Sequence, residues 1–208
     1  MSEQAPSIAV DSQDAPPKRQ RMKPGERRLQ ILQTLALMLE QPGADRITTA
    51  ALAAQLGVSE AALYRHFASK TQMFEGLIDF IDNSLSGLIQ QVVQRDAQAS
   101  HKAMQVLQVV LHFAEKNPGM TRVMVGDALV FEDERLQQRI NHIFDRLESV
   151  LRQVLREDAP ASMTPTVDAQ IQAAALVSFV LGSMQRYVRS GFKRSPVVHL
   201  EKAVTLFV

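Results

Sequence analysis

The chain has 208 residues, 46% of them hydrophobic, which is enough for one well-packed core or a small domain joined to a larger one, and too much for disorder throughout. It has no cysteine, so disulfides, thiolate metal sites and a cysteine nucleophile are excluded. The net charge of +1 does not by itself declare a nucleic-acid partner, but six basic residues (Lys18, Arg19, Arg21, Lys23, Arg27 and Arg28) against the single acid Glu26 mark residues 18–28 as a candidate phosphate-binding or solubilising run.

In chain order, residues 1–25 read as a polar tail with a basic end. They show no basic segment followed by an apolar run, so the expectation is a cytoplasmic protein. Leu29, Leu32, Leu35, Ala36 and Leu39 recur at helical spacing and predict a helix over 26–40, ended by QPGAD. Thr48 is placed to cap a second helix over 49–56 with Leu52, Ala53 and Leu56 inward. Gly57 follows, where a missing Cβ permits positive φ, and Ser59 is placed to cap a short third helix carrying Leu63 and Phe67.

Ala68 or Ser69 breaks the chain before a fourth helix over about 70–95, whose inner face is read as Phe74, Leu77, Ile78, Ile81, Leu85, Leu88 and Val92. Further helices are expected over 100–116, 118–127 (capped by Asn117, with Pro118 first), 132–156, 168–190 and 197–207, with a loop at 158–167. The fold class is therefore all-α. The stretch from Ala169 to Gln185 has no charge but contains glutamines and serines, and reads as a buried helix in preference to a membrane span.

Residues 48–70, TTAALAAQLGVSEAALYRHFASK, carry the function. Ala53 allows close helix approach, Gly57 makes the turn, and Val58 and Leu63 fill the shared corner of a helix-turn-helix whose third helix enters a major groove. Thr48 and Thr49 stand where hydroxyls and helix N-terminal amides suit a phosphate. Ser59 suits a phosphate or base edge, Ala61 and Ala62 a close approach to thymine methyls, and Glu60 either cytosine N4 or its own helix terminus. Tyr64 is read as a phosphate donor, Arg65 as a phosphate, guanine or partner contact, and Lys70 and Arg27 as backbone contacts.

The Tyr64, Phe67 and Lys70 spacing in LYRHFASK, after a helix-turn-helix, resembles the TetR family of regulators. After the tail over 1–25, whose length departs from the shorter pattern of the relatives, that resemblance implies a DNA-binding head over 26–73 and a helical dimerisation body over 74–208. Within the family, ILQTLALMLEQPGADRITTAALAAQLGVSEAALYRHFASKTQMFEGLIDFI and EKNPGMTRVMVGDALVFEDERLQQRINHIFDRLESVLRQVLRE resemble the nucleoid occlusion factors of gamma- and beta-proteobacteria.

The resemblance implies a homodimer on palindromic double-stranded DNA, with more than one dimer per site open, located on the nucleoid. It also implies contact with the tubulin-like cell-division GTPase that stops ring assembly and septation over the chromosome. Arg65, Phe80, Lys116 and Asn117 match the partner surface of that group; Lys116 stands where arginine is expected, and so does Leu88. By pattern alone Phe80 fits core as well as interface, and Lys116 fits a helix C-terminal charge. Ile171, Ala174, Ala175, Val177, Phe179, Leu181 and Met184 are the expected dimer face.

No cofactor and no metal is expected. The sequence has no glycine-rich phosphate loop, histidine pair or nucleophile–base pattern, and Glu132, Asp133 and Glu134 beside Arg135 and Arg139 read as an exposed helix start, so the chain is not expected to be an enzyme. The alternative is a ligand-responsive repressor of the same family.

Overall fold

The computed structural model describes residues 24–41, 46–157 and 165–205. The tail, four of the six basic residues (Lys18, Arg19, Arg21 and Lys23), the segment Pro42–Asp45 and most of the expected loop at 158–167 lie outside them. Among the described residues the fold is all-α: α1 (Pro24–Leu39), α2 (Thr49–Leu56), α3 (Glu60–Tyr64), α4 (Lys70–Val93), α5 (Ala99–Lys116), α6 (Pro118–Met124), a 3₁₀ turn (Asp127–Leu129), α7 (Glu134–Glu157), α8 (Pro165–Arg189) and α9 (Leu200–Val204).

Helix ends follow local chemistry. Thr48, Ser59 and Ser69 each turn a hydroxyl onto the amide three residues ahead, those of Ala51, Ala62 and Gln72 at 3.1, 3.3 and 3.1 Å. Gly57, at φ 64°, closes α2: its amide reaches the Ala54 carbonyl and that of Val58 reaches Ala53. Helix α6 stops earlier than expected because Gly126, at φ 80°, turns the chain into the 3₁₀ segment. Helix α7 starts at Glu134 because the Arg135 amide donates to the Asp133 carboxylate at 3.0 Å. Helix α9 is shorter than the expected 197–207, beginning only after His199 at φ 68°.

Helices α1–α3 pack around Ile31, Leu35, Leu39, Leu52, Leu63 and Phe67, and this cluster runs on through Phe74 and Leu77 into the body. The apolar face of α1 is rotated from the expected one: Ile31 is buried and Leu29 is 43% exposed. On α4, Met73 joins the core, whereas Leu88, expected inward, is 43% exposed. Helices α4, α5, α7 and α8 form the body, and the most extensive packing is between α7 and α8. The inner stripe of α7 (Leu136, Ile140, Ile143, Phe144, Leu147, Leu151 and Val154) is buried as its spacing requires, with Val150 half-buried at its edge. Helix α8 contains the candidate span Val167–Arg189, which by length and composition alone could cross a membrane, and it buries Ala173, Leu176, Val177, Val180 and Met184 in the core.

Helix α6 joins head to body. A Cβ on Gly119 would fall on the Ala36 carbonyl oxygen, so only glycine permits the observed approach of α6 to α1. Arg122 is 8% exposed; its guanidinium donates to the Leu39 carbonyl at the end of α1 (3.2 Å) and to Asp127 (2.5 Å). A carbonyl left over by the helix end is thereby satisfied from the body.

Candidate nucleic-acid interface

Helices α2 and α3 meet across the Gly57 turn with their polar residues on one side. Thr48 and Ser59 are exposed at the two N-termini, their hydroxyl oxygens already accepting from their own helices, so each keeps an O–H to donate outward. Thr49 donates to the Glu60 carboxylate at 2.6 Å, and the Tyr64 hydroxyl lies 3.5 Å from the Thr49 hydroxyl. The expected contacts Thr49, Glu60 and Tyr64 are thus one network spanning both helices. Tyr64 is 45% exposed, which sets it on the surface and not in the core. Glu60 is tied to Thr49, so its first role is to hold the α2 N-terminus against α3.

Ala61 is exposed, Ala62 is half-buried and Arg65 is exposed. Arg27 is half-buried with its guanidinium on Gln30 at 2.6 Å, and lines a cleft of about 240 Å³ with Arg65 and His66. The pattern missed Arg28. It donates to the His66 carbonyl and lies 4.1 Å over the Phe67 ring, tying α1 to the segment leaving α3. Its place in the basic run was visible; its use as a brace needed the fold. Lys70, at the start of α4, holds its ammonium on Glu132. Glu132 is accordingly not part of an exposed helix start: its side chain is 9% exposed and turned toward the head.

The candidate partner residues fall in different places. Lys116 and Asn117 line a groove of about 410 Å³ between α4 and α5, together with Leu88, Val109, His112 and Phe113. Phe80 is 39% exposed on α4 but does not line that groove, and Arg65 sits in the head. Asn117 does not cap α6 with its side chain as expected. Its amide donates back to the Phe113 carbonyl at 2.7 Å, while Pro118 opens α6 as foreseen. Of the expected dimer face, Val177 and Met184 are buried within the chain, Ile171 is 64% exposed, and Ala174, Ala175, Phe179 and Leu181 are half-covered.

A further cavity, about 240 Å³, lies among α4, α5 and α7 and is lined mostly by apolar side chains. No cluster of potential metal ligands occurs among the described residues.

Comparison with known proteins identifies the head and the body separately and together. Residues 31–77 match the tetR family of bacterial regulatory proteins, and residues 97–208 match the SlmA-like, tetracyclin repressor-like C-terminal domain. The chain is 52% identical over 181 residues to the nucleoid occlusion factor SlmA of Photobacterium profundum, covering 86% of this chain and 92% of that one. It is 51% identical over 178 residues to that of Vibrio cholerae (85% and 91%) and 49% identical over 176 residues to that of Marinomonas sp. (84% and 89%).

The fold is shared with FadR of Bacillus subtilis, solved with stearoyl-CoA (TM-score 0.68, 17% identity, 86% of this chain and 97% of that one). It is also shared with PfmR of Thermus thermophilus (TM-score 0.65, 19% identity, 85% and 96%). At these identities the structural likeness speaks to architecture alone. The sequence relatives span head and body together, and with the two family matches they assign the chain's class as a regulator and not an enzyme: it belongs to the SlmA family of nucleoid occlusion factors, DNA-binding proteins of the TetR type.

Proposed function

We propose that the protein works as a homodimer on the nucleoid, placing two α3 helices in successive major grooves of palindromic chromosomal sites, and that on DNA it binds the tubulin-like division GTPase and stops ring assembly there. The observation that carries this reading is the near 50% identity to nucleoid occlusion factors through the body as well as the head. A helix-turn-helix alone would support any regulator of the class.

In this reading residues 1–25 are a tail, 26–73 the DNA-binding head and 74–208 the dimerisation and partner-binding body. Thr48, Thr49, Ser59, Tyr64, Arg65, Lys70 and Arg27 serve the DNA backbone or base edges, and Ala61 and Ala62 permit close approach. Two subunits join through the outer face of α8, where Val167 and Ile171 are 55% and 64% exposed and Ala174 and Ser178 keep the surface low enough for helices to meet.

The partner surface is centred on the α4–α5 groove. Leu88, Val109 and Phe113 offer apolar contact, while Arg95 and Lys116 supply positive charge. Gln105 lines the same groove with a buried Oε1 that accepts no hydrogen bond among the described residues. That combination suits a segment carrying apolar and acidic side chains plus one donor. Phe80 and Arg65 extend this surface along α4 and toward the head.

Genome-wide occupancy in growing cells tests the proposal. Many palindromic sites spread over the chromosome and sparse near the replication terminus are expected. Occupancy confined to one or a few promoters would overturn it in favour of a ligand-responsive repressor.

A further inference from the structure

Three ion pairs run along the seam between α4 and the segment 132–146. Lys70 pairs with Glu132, Asp79 with Arg139 and Asp82 with Arg146. The partners of Lys70, Asp79 and Asp82 follow in the same order along the facing segment, Glu132 just before α7 and Arg139 and Arg146 two helical turns apart on it. Their polarity is not uniform. In the two farther from the head, α4 supplies the acid and α7 the arginine; in the one nearest the head, α4 supplies the cation.

A DNA phosphate can therefore compete for the α4 member only at the first pair. Lys70 is well placed for that competition, as the first residue of α4, directly after the Ser69 cap, with its side chain 27% exposed. Glu132 is poorly placed to lose it. Its side chain is 9% exposed, and Lys70 is its one side-chain partner among the described residues. A carboxylate stripped of its cation at that depth is disfavoured, and it also repels an arriving phosphate.

We propose that Glu132 is an intramolecular competitor of DNA: it holds the Lys70 ammonium in the free protein and yields it to a backbone phosphate in the complex, so that DNA occupancy opens the head-proximal tie between α4 and the segment leading into α7. The pair then weakens DNA binding instead of positioning Lys70 for it. Helix α4 also forms one wall of the groove containing Leu88 and Lys116, so release of its first tie is a change that the partner surface shares with the DNA head. The inference rests on the reading of the head as a phosphate-contacting DNA binder.

The test is a double-substitution cycle with the full-length dimer, its probes a palindromic duplex recovered from the occupancy experiment and a scrambled duplex of equal length, at one fixed salt concentration. Glu132→Gln is expected to tighten binding to both duplexes by about two- to fivefold, the range of one freed charge contact. The gain falls on both because phosphate contacts carry no base information. In a Lys70→Gln background the same substitution is expected to change affinity less than about twofold.

Glu132→Asp, which withdraws the charge by one methylene, gives a second variant with a smaller gain, and thermal unfolding of each variant checks that the fold is retained. Unchanged or weaker binding by both Glu132 variants overturns the proposal. So does an equal gain in both Lys70 backgrounds, which would report only the removal of a distant negative charge. An unsubstituted protein that binds neither duplex overturns the DNA-binding reading as well, which separates the two failures.

Discussion

The head and the body share one continuous core, yet their polar groups are held by different means. In the head, the hydrogen bonds that set the recognition surface are short-range in sequence: Thr48 to Ala51, Ser59 to Ala62, and Thr49 to Glu60 eleven residues on. In the body, and where it meets the head, they cross between elements distant in sequence, as in Tyr187 to the Glu115 carbonyl, Lys70 to Glu132 and Arg122 to the Leu39 carbonyl. A surface that must meet DNA in a fixed shape is built from caps and turns that each few residues specify for themselves. The body joins distant segments, and its polar contacts depend on helices that have already packed.

Two glycines put that difference to the test. Gly119→Ala is expected to have the largest effect, because its methyl group would occupy the position of the Ala36 carbonyl oxygen and α6 would have to leave α1. The expected loss is about 3 kcal/mol or more, read as a drop in the denaturation midpoint. A loss below about 1 kcal/mol would mean that the head–body junction is soft.

Gly57→Ala meets no atom within 4 Å and is strained only by its φ of 64°. It is expected to cost about 1–2 kcal/mol in the same measurement. Gly57→Asn should recover part of that, since asparagine tolerates the left-handed region. Failure of asparagine to recover any stability would show that the turn is held by something other than its own backbone.

The smallest effect belongs to the start of α7. Arg135 holds the Asp133 carboxyl down to about 2, first through its side-chain hydrogen bonds and then through its amide. A carboxyl lowered on folding contributes stability above its unfolded value near 4, and that contribution disappears as pH falls through about 2. A carbon-detected titration of Asp133 should show that low midpoint, and Asp133→Asn should flatten the acid limb of the stability curve between those values. A midpoint near 4 in the native protein would remove the interaction with Arg135 from the account of this helix start.

Much of the head was legible in the sequence because its causes are local. The Thr48, Ser59 and Gly57 positions follow from hydroxyls and a missing Cβ at fixed offsets from apolar residues, whereas Tyr64, Phe67 and Lys70 are legible only through the family resemblance, since α3 ends at Tyr64 and Phe67 lies beyond it, not on the third helix as expected. The errors came where periodicity admits two phases. The choice between Leu29 and Ile31 on α1, and the direction of Leu88 on α4, depend on which neighbour covers the helix. The place of Asn117 before Pro118 invites a cap, but its side chain satisfies a carbonyl of α5 instead.

By itself the sequence determined the helical class, the helix-turn-helix and its caps, and through resemblance the family; these rest on contacts within a few residues or on long matching segments. Only the tertiary structure decided that Lys116, Asn117 and Leu88 share a groove, that Gly119 is required by a carbonyl 83 residues away in sequence, and that Glu132 holds Lys70. Those facts depend on helix rotation and approach distance, quantities that side-chain periodicity along one helix leaves undetermined.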